Sequence, residues 1–283
     1  MQRRVFLRKS LQSIALISGL EPISSITQNH YKFLRARGIK TRFVIASDGH
    51  FGQAGTPFQL YHDEMMSWLN EEHRKHALDF TLFNGDLIHD DPSFLSSVKE
   101  KFNTLSMPYY VSRGNHDRCD EETWKNTWGR SFNHSFEIGN SAFVVLDTSN
   151  IQGEYICPDV DSTEEILYKY RNEKNIFVFM HITPVKWTDA GINCRKLVRI
   201  FSRQKNLRAI FHGHDHDQDN MKTSLGKGYF FDSHMGGNWG TEYRGYRVVE
   251  ITERNDILTY QINPTAGTRV NSTDLREKFA FGD

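Results

Sequence analysis

Cysteine is scarce in this chain and never paired at close range. Cys119, Cys157 and Cys194 make no CxxC spacing, and three is an odd number. That argues against a disulfide-built scaffold and leaves room for one bridge at most. An excess of one charge is missing too. Lys and Arg number 35, and so do Asp and Glu. A net charge of zero gives no argument for nucleic acid or an anionic membrane surface as partner. No apolar run is long enough to cross a bilayer, which takes roughly 20 residues. Internal repeats and low-complexity linkers are absent, so no repeat array is indicated. What remains is globular composition, with 25% charged and 38% hydrophobic residues. The 283 residues suffice for one large domain or two small ones.

The N-terminus departs from that composition. Arg3, Arg4, Arg8 and Lys9 form a basic head, a weakly apolar run from Leu11 to Leu20 follows, and Glu21 and Pro22 end it. This is the layout of an export signal. The paired arginines with Phe6 and Leu7 behind them resemble a bacterial twin-arginine signal. The expectation is an export segment over residues 1–25, cut near Ser25, a periplasmic location, and a single domain over 26–283. A cytoplasmic protein with an amphipathic first helix is the alternative.

From Thr41 onward, short β-rich runs alternate with amphipathic stretches. The pattern predicts strands at 42–47, 79–84, 107–112, 141–147, 175–181, 207–212, 227–232, 246–251 and 257–262. Helices are predicted over 59–76, 92–104, 163–173 and 192–205. Strands separated by helices make an α/β domain. The last third has strands with no long helix between them, which predicts antiparallel pairing there and mixed sheets.

Nearly every early strand runs into a metal-binding type of residue. The first reaches Asp48-Gly49-His50, the second Asp86, the third Asn115-His116-Asp117, and the fifth His181. The sixth reaches His214-Asp215-His216. Ligand sites in α/β proteins lie at the carboxyl ends of strands. Asp48 and His50 are two apart, as are His214 and His216, and in extended chain i and i+2 point the same way. The seven candidate ligands are Asp48, His50, Asp86, Asn115, His181, His214 and His216. They mix imidazole, carboxylate and one amide oxygen, without thiolate. That set suits divalent first-row ions, namely Mn, Fe or Zn, better than a structural zinc cage. Seven ligands are too many for one catalytic ion with open positions, and a carboxylate such as Asp86 can bridge two. Two such ions about 3.5–4 Å apart clamp the attacking and leaving oxygens of a displacement at phosphorus. His116 is the candidate proton donor, with Asp117 placed to orient its ring. His212 is expected to face away, and His89 to be a pocket or surface residue. Arg113 is either a phosphate contact or a salt bridge, and Asp215 is expected to be surface charge. The Gly-rich, aromatic stretch 234–245 is either a substrate rim or a pinned turn.

The set Asp48-x-His50, Gly85-Asp86, Gly114-Asn115-His116-Asp117, His181 and Gly213-His214-x-His216 resembles the calcineurin-like metallophosphoesterase superfamily. The resemblance spans residues 48 to 216, with all five motifs in the family's order. It implies a four-layer α/β/β/α sandwich with two mixed β-sheets. It implies one metal on Asp48, His50, Asp86 and His216, and a second on Asp86, Asn115, His181 and His214, with Asp86 bridging. His116 would stabilise the transition state or protonate the leaving group. Purple acid phosphatases carry a tyrosine three residues after the bridging Asp; here that residue is His89. The chain therefore resembles the non-purple branch, and 134–147 resembles a strand pair of that branch. The function implied is metal-dependent hydrolysis of phosphomonoesters or phosphodiesters, with a small phosphoester as substrate. No basic stripe is present, so duplex nucleic acid is not expected. A nuclease or nucleotide phosphodiesterase, or a phosphoesterase fold used as a weakly catalytic binding module, are the alternatives.

Overall fold

The computed structural model describes residues 38–265 and the backbone of 268–274. The expected export segment lies outside the described residues. Alternation along β1 (Ile39–Ala46) sets the layering. Phe43 and Ile45 point to one face of the strand, Val44 and Ala46 to the other. Both faces are buried, so the strand is apolar throughout its centre.

One sheet has the order β12-β11-β10-β1-β2-β3. Here β2 is Phe80–Asn84, β3 Tyr109–Ser112, β10 Tyr246–Thr252, β11 Ile257–Asn263 and β12 Thr268–Asp274. β1, β2 and β3 are parallel, and β10, β11 and β12 join them as an antiparallel meander. The second sheet has the order β4-β5-β6-β7-β9-β8. Its members are β4 His134–Ile138, β5 Ser141–Val145, β6 Asn175–Phe179, β7 Leu207–His212, β8 Met221–Ser224 and β9 Lys227–Phe231. β5, β6, β7 and β9 are parallel, with β4 and β8 antiparallel at the edges.

The helices cover the outer faces. Helices α1 (Phe58–Lys75), α2 (Leu95–Phe102) and α3 (Glu121–Trp128) cover the first sheet through Met65, Leu69, Val98, Phe102 and Trp124. Helices α4 (Val160–Lys169) and α5 (Arg195–Arg203) cover the second through Leu167, Leu197 and Phe201. The result is the expected four-layer α/β/β/α sandwich with two mixed sheets. Each predicted strand forms within a few residues of its expected range. The helix expected over 92–104 opens instead with a 3-10 turn, Pro92–Phe94. There Asp91 caps Ser93 N–H at 2.9 Å, and Pro92 needs no donor. Helix α3 and strands β8 and β12 were not expected. The single bridge that the cysteine count allowed is formed between Cys157 and Cys194, and Cys119 is free and buried.

The middle layer is largely phenylalanine. Phe43 stacks on Phe80 at 4.8 Å and meets Phe143 and Phe177 edge-on at 5.3 and 5.5 Å. It is fully buried and touches rings of both sheets. Phe43→Ala is expected to destabilise the protein by about 3–5 kcal/mol. Denaturant unfolding measures this, and a loss below about 1 kcal/mol would show that the layers do not depend on this ring.

Candidate metal centre

Strand tips deliver the ligands, and backbone hydrogen bonds stitch the tips together. After β1, Asp48 N–H donates to Gly85 O at 3.1 Å, and His50 N–H donates to Asp86 O at 2.9 Å. The loops after β1 and β2 therefore run on as a ladder beyond the sheet. The chain must turn sharply there. Asp48, His50, Asp86 and His214 adopt positive φ, at 59°, 47°, 50° and 67°. Non-glycine residues rarely do so, and the strained conformation clusters at functional sites.

The turns bring the side chains into two groups. In one, His216 Nε2 lies 3.1 Å from Asp48 Oδ1 and 3.0 Å from His50 Nε2. In the other, His181 Nε2 lies 3.1 Å from Asp86 Oδ2, with His214 beside them. Asp86 Oδ2 is also 3.7 Å from His50 Nε2, so this carboxylate stands between the groups. Asn115 Oδ1 and His214 Nε2 are buried polar atoms with no hydrogen-bond partner. Six of the seven predicted ligands, Asp48, His50, Asp86, His181, His214 and His216, fall in these two groups, and Asn115 directly precedes His116, whose N–H reaches Asp86.

The electrostatics fit bound cations. Burial drives His50 down to about 3 and His214 down to about 4, so both offer a neutral lone pair at neutral pH. For Asp86, burial opposes ionisation, but His181 and His50 outweigh it and hold the carboxyl well below its usual range. For His181, burial opposes protonation, yet Asp86 and Asp48 raise it to about 10. Protons thus stand where positive charge is needed, and a metal ion displaces such protons on binding. The far nitrogens are tied down. His181 Nδ1 donates to Asn84 O at 2.8 Å and His216 Nδ1 to Trp239 O at 3.1 Å. Such contacts fix the tautomer and aim Nε2 at the centre.

His116 is placed differently from the ligands. Its Nδ1 is 2.9 Å from Asp90 Oδ1, its backbone N–H donates to Asp86 Oδ1 at 2.8 Å, and its ring stacks on His89. The expectation that Asp117 orients this ring is overturned. The Asp117 carboxylate turns back into the chain and accepts Gly114 N–H and Ile88 N–H, both at 2.9 Å. Burial and the nearby charge of Asp86 push it up to about 7. Its place is to brace the loop. Asp90, from the loop after β2, was missed because no spacing in the sequence ties it to His116. His89 was expected to be a pocket or surface residue; its Nδ1 lies 3.0 Å from His50 Nδ1.

Arg113 grips Asp147 through two hydrogen bonds, of 3.1 and 2.5 Å, so it is the salt bridge and not a phosphate contact. His212 does face away, bonding Met180 O at 3.1 Å. Asp215 is buried rather than surface charge.

Gly213 has no room for a side chain. A Cβ there would lie 1.9 Å from Ser47 Oγ and 2.5 Å from Asp48 Oδ2. The backbone of β7 can approach Asp48 only without it, and His214 N–H then reaches the carboxylate at 3.0 Å. Gly213→Ala is expected to weaken metal binding by about 10–100-fold while circular dichroism stays native. Titration calorimetry with Mn²⁺ or Zn²⁺ measures it; unchanged affinity would mean that this contact does not set the ligand geometry.

Comparison with known proteins agrees with this geometry. The model of the calcineurin-like phosphoesterase family matches residues 41–218. A Danio rerio protein named serine/threonine-protein phosphatase CPPED1 is 25% identical over 229 residues, covering 70% of this chain and 73% of that one. The crystal structure of a dimetal phosphatase from Danio rerio superposes with a TM-score of 0.68 at 12% identity, covering 84% of this chain and 99% of that one. A purple acid phosphatase from yellow lupin seeds gives 0.61 at 13% identity, covering 83% of this chain and 53% of that one. At such identities the two solved structures speak for the fold alone. With the family match spanning the strand tips that carry the two ligand groups, this chain belongs to the calcineurin-like phosphoesterase family and is a binuclear, metal-dependent phosphoester hydrolase.

Proposed function

We propose that this chain is an exported phosphatase acting on small phosphomonoesters. The observation that carries the hydrolytic site is the pair of ligand groups meeting at Asp86. One ion would be held by Asp48, His50, Asp86 and His216, the other by Asp86, Asn115, His181 and His214. When bound, the ions supply Lewis-acid polarisation of phosphoryl oxygens and activation of water near neutral pH. Mn, Fe and Zn all suit these ligands. The Danio rerio sequence relative is named a phosphatase, which supports monoesters over diesters.

His116 holds the proton that the leaving oxygen needs. With Nδ1 engaged by Asp90, Nε2 is the nitrogen left to give it. Asp90 fixes the ring by its charge, as carboxylates commonly do for catalytic imidazoles. Arg118 Nε at 3.0 Å anchors Asp90 in turn. Asn115, beside His116, would bind metal through the amide oxygen that now lacks a partner.

Two observations support export. One is the basic head followed by a short apolar run. The other is the Cys157–Cys194 bridge, since such bonds persist mainly in oxidising compartments.

Metal-stripped protein, titrated with Mn²⁺, Zn²⁺ or Fe²⁺, is expected to regain hydrolysis of a generic monoester faster than that of a generic diester. Asp86→Ala should abolish the regained turnover. No turnover with any metal, despite two ions bound per chain, would favour a binding module instead. His116→Ala is expected to keep both metals and lose about 10²–10⁴-fold in kcat. Asp90→Ala should lose less than His116→Ala. Turnover of His116→Ala within a few-fold of wild type would remove the proton-donor role.

A further inference from the structure

Two aromatic rings border the metal centre and take no part in the chemistry above. Trp239 lies on the loop after β9, and Tyr155 on the loop after β5. The indole stacks on the imidazole of His216, with centroids 4.2 Å apart and planes 9° apart. It also meets His50 at 4.9 Å. One indole face is thereby covered, yet 43% of the residue stays exposed. The exposed part of the ring lies beside the Asp48–His50–His216 group. Tyr155 stands edge-on to His214 at 4.9 Å, beside the other group, and is also 43% exposed. Burial and the negative charges of Asp86 and Asp215 raise its phenol above the ordinary value.

Isolated exposed apolar residues are ordinary, whereas their clustering is informative. Among the described residues, seven large hydrophobic side chains are exposed, and four of them lie on these two loops: Ile151, Tyr155, Ile156 and Trp239. The Tyr155 loop is also held rigidly. Asn150 N–H donates to Glu154 O at 2.9 Å, Ile156 N–H donates to Thr148 O at 2.9 Å, and Cys157 is bonded to Cys194 at the start of α5. Gly153 packs so closely on Asn115 that an added Cβ would lie 2.6 Å from the Asn115 carbonyl oxygen. The loop thus sits against the ligands of the second group. An apolar wall held in place before binding loses little entropy when a ligand arrives.

We propose that these two loops form a recognition rim that selects phosphoesters whose alcohol part carries a flat, apolar group. That group lies against the exposed part of Trp239, and the loop carrying Tyr155 walls the other side of the centre. A small polar alcohol would gain nothing from an exposed indole, whereas a flat ring gains stacking and burial. The inference rests on the phosphoester-hydrolase reading and specifies its substrate class.

The test uses full-length protein loaded with the metal that gives best turnover, and p-nitrophenyl phosphate hydrolysis as the assay. Phenylphosphonate and methylphosphonate are compared as inhibitors. They carry the same headgroup and cannot be hydrolysed, so leaving-group chemistry does not enter. The expected inhibition constant for phenylphosphonate is roughly tenfold lower. In Trp239→Ala that ratio should fall below roughly threefold. Tyr155→Ala and the milder Trp239→Leu should lower the ratio in the same direction, and they serve if Trp239→Ala does not fold. Equal inhibition of the wild type by the two phosphonates overturns the proposal. So does a variant that raises both constants by one common factor, since the ring would then act only by holding His216. A wild type that turns over no phosphoester with any metal fails at the hydrolase reading itself, a distinct result.

Discussion

The structure depends on keeping two carboxylates, Asp48 and Asp86, ionised where water scarcely reaches them. Each is 1% exposed or less. An unpaired buried charge costs several kcal/mol, so such a group needs hydrogen bonds and counter-charge close by. Both are supplied. Asp48 accepts His214 N–H through either carboxylate oxygen at 3.0 Å, and Asp86 accepts His116 N–H at 2.8 Å. The imidazoles of His181 and His216 lie 3.1 Å from Asp86 and Asp48, and the two carboxylates raise both rings above the ordinary imidazole range. The same need explains why ligand loops donate backbone N–H groups as well as side chains.

Backbone geometry follows from that requirement. Carboxylates and imidazoles from neighbouring strands can meet only if the chain reverses at once beyond the sheet. Four candidate ligands accept positive φ to do so. Each such residue carries strain on the order of 1–3 kcal/mol, which the surrounding ladder must hold. The hydrogen bonds from Asp48, His50 and Phe51 to residues 85–87 are that ladder. Asp117 contributes to the same end by tying Gly114 and Ile88.

Much of this was legible in the sequence because alternation and strand-end chemistry are local. The run from Arg42 to Ser47 shows its strand by composition, and the Asp and His that follow it lie where ligands must lie. The misses are of another kind. Helix α3 has only eight residues and one buried side chain, Trp124, so its apolar stripe is too short to register. The identity of the residue that orients His116 was misread from adjacency. Asp117 follows His116 directly, but neighbours in a tight turn diverge, and the carboxylate that arrives comes from 26 positions earlier. The disulfide joins cysteines 37 apart, and no spacing rule reveals such a pair. The sequence left the stretch carrying Trp239 open between a substrate rim and a pinned turn, because its stacking partner, His216, belongs to a different loop.

Each ligand group also spans the sandwich. Asp48 and His50 come from the tip of β1, in the first sheet, while His216 comes from the tip of β7, in the second. Asp86 follows β2 in the first sheet, and its partners His181 and His214 follow β6 and β7 in the second. The separation of the sheets therefore sets the reach of every ligand across the centre. That separation is set by the phenylalanine layer, in which Phe43 of the first sheet meets Phe143, Phe177, Phe179 and Phe211 of the second. Rings that fix the inter-sheet distance thus act on the metal centre without touching it. The coupling is reciprocal. An ion held by ligands from both sheets binds only when the sheets are packed, and its binding free energy adds to the stability of the sandwich.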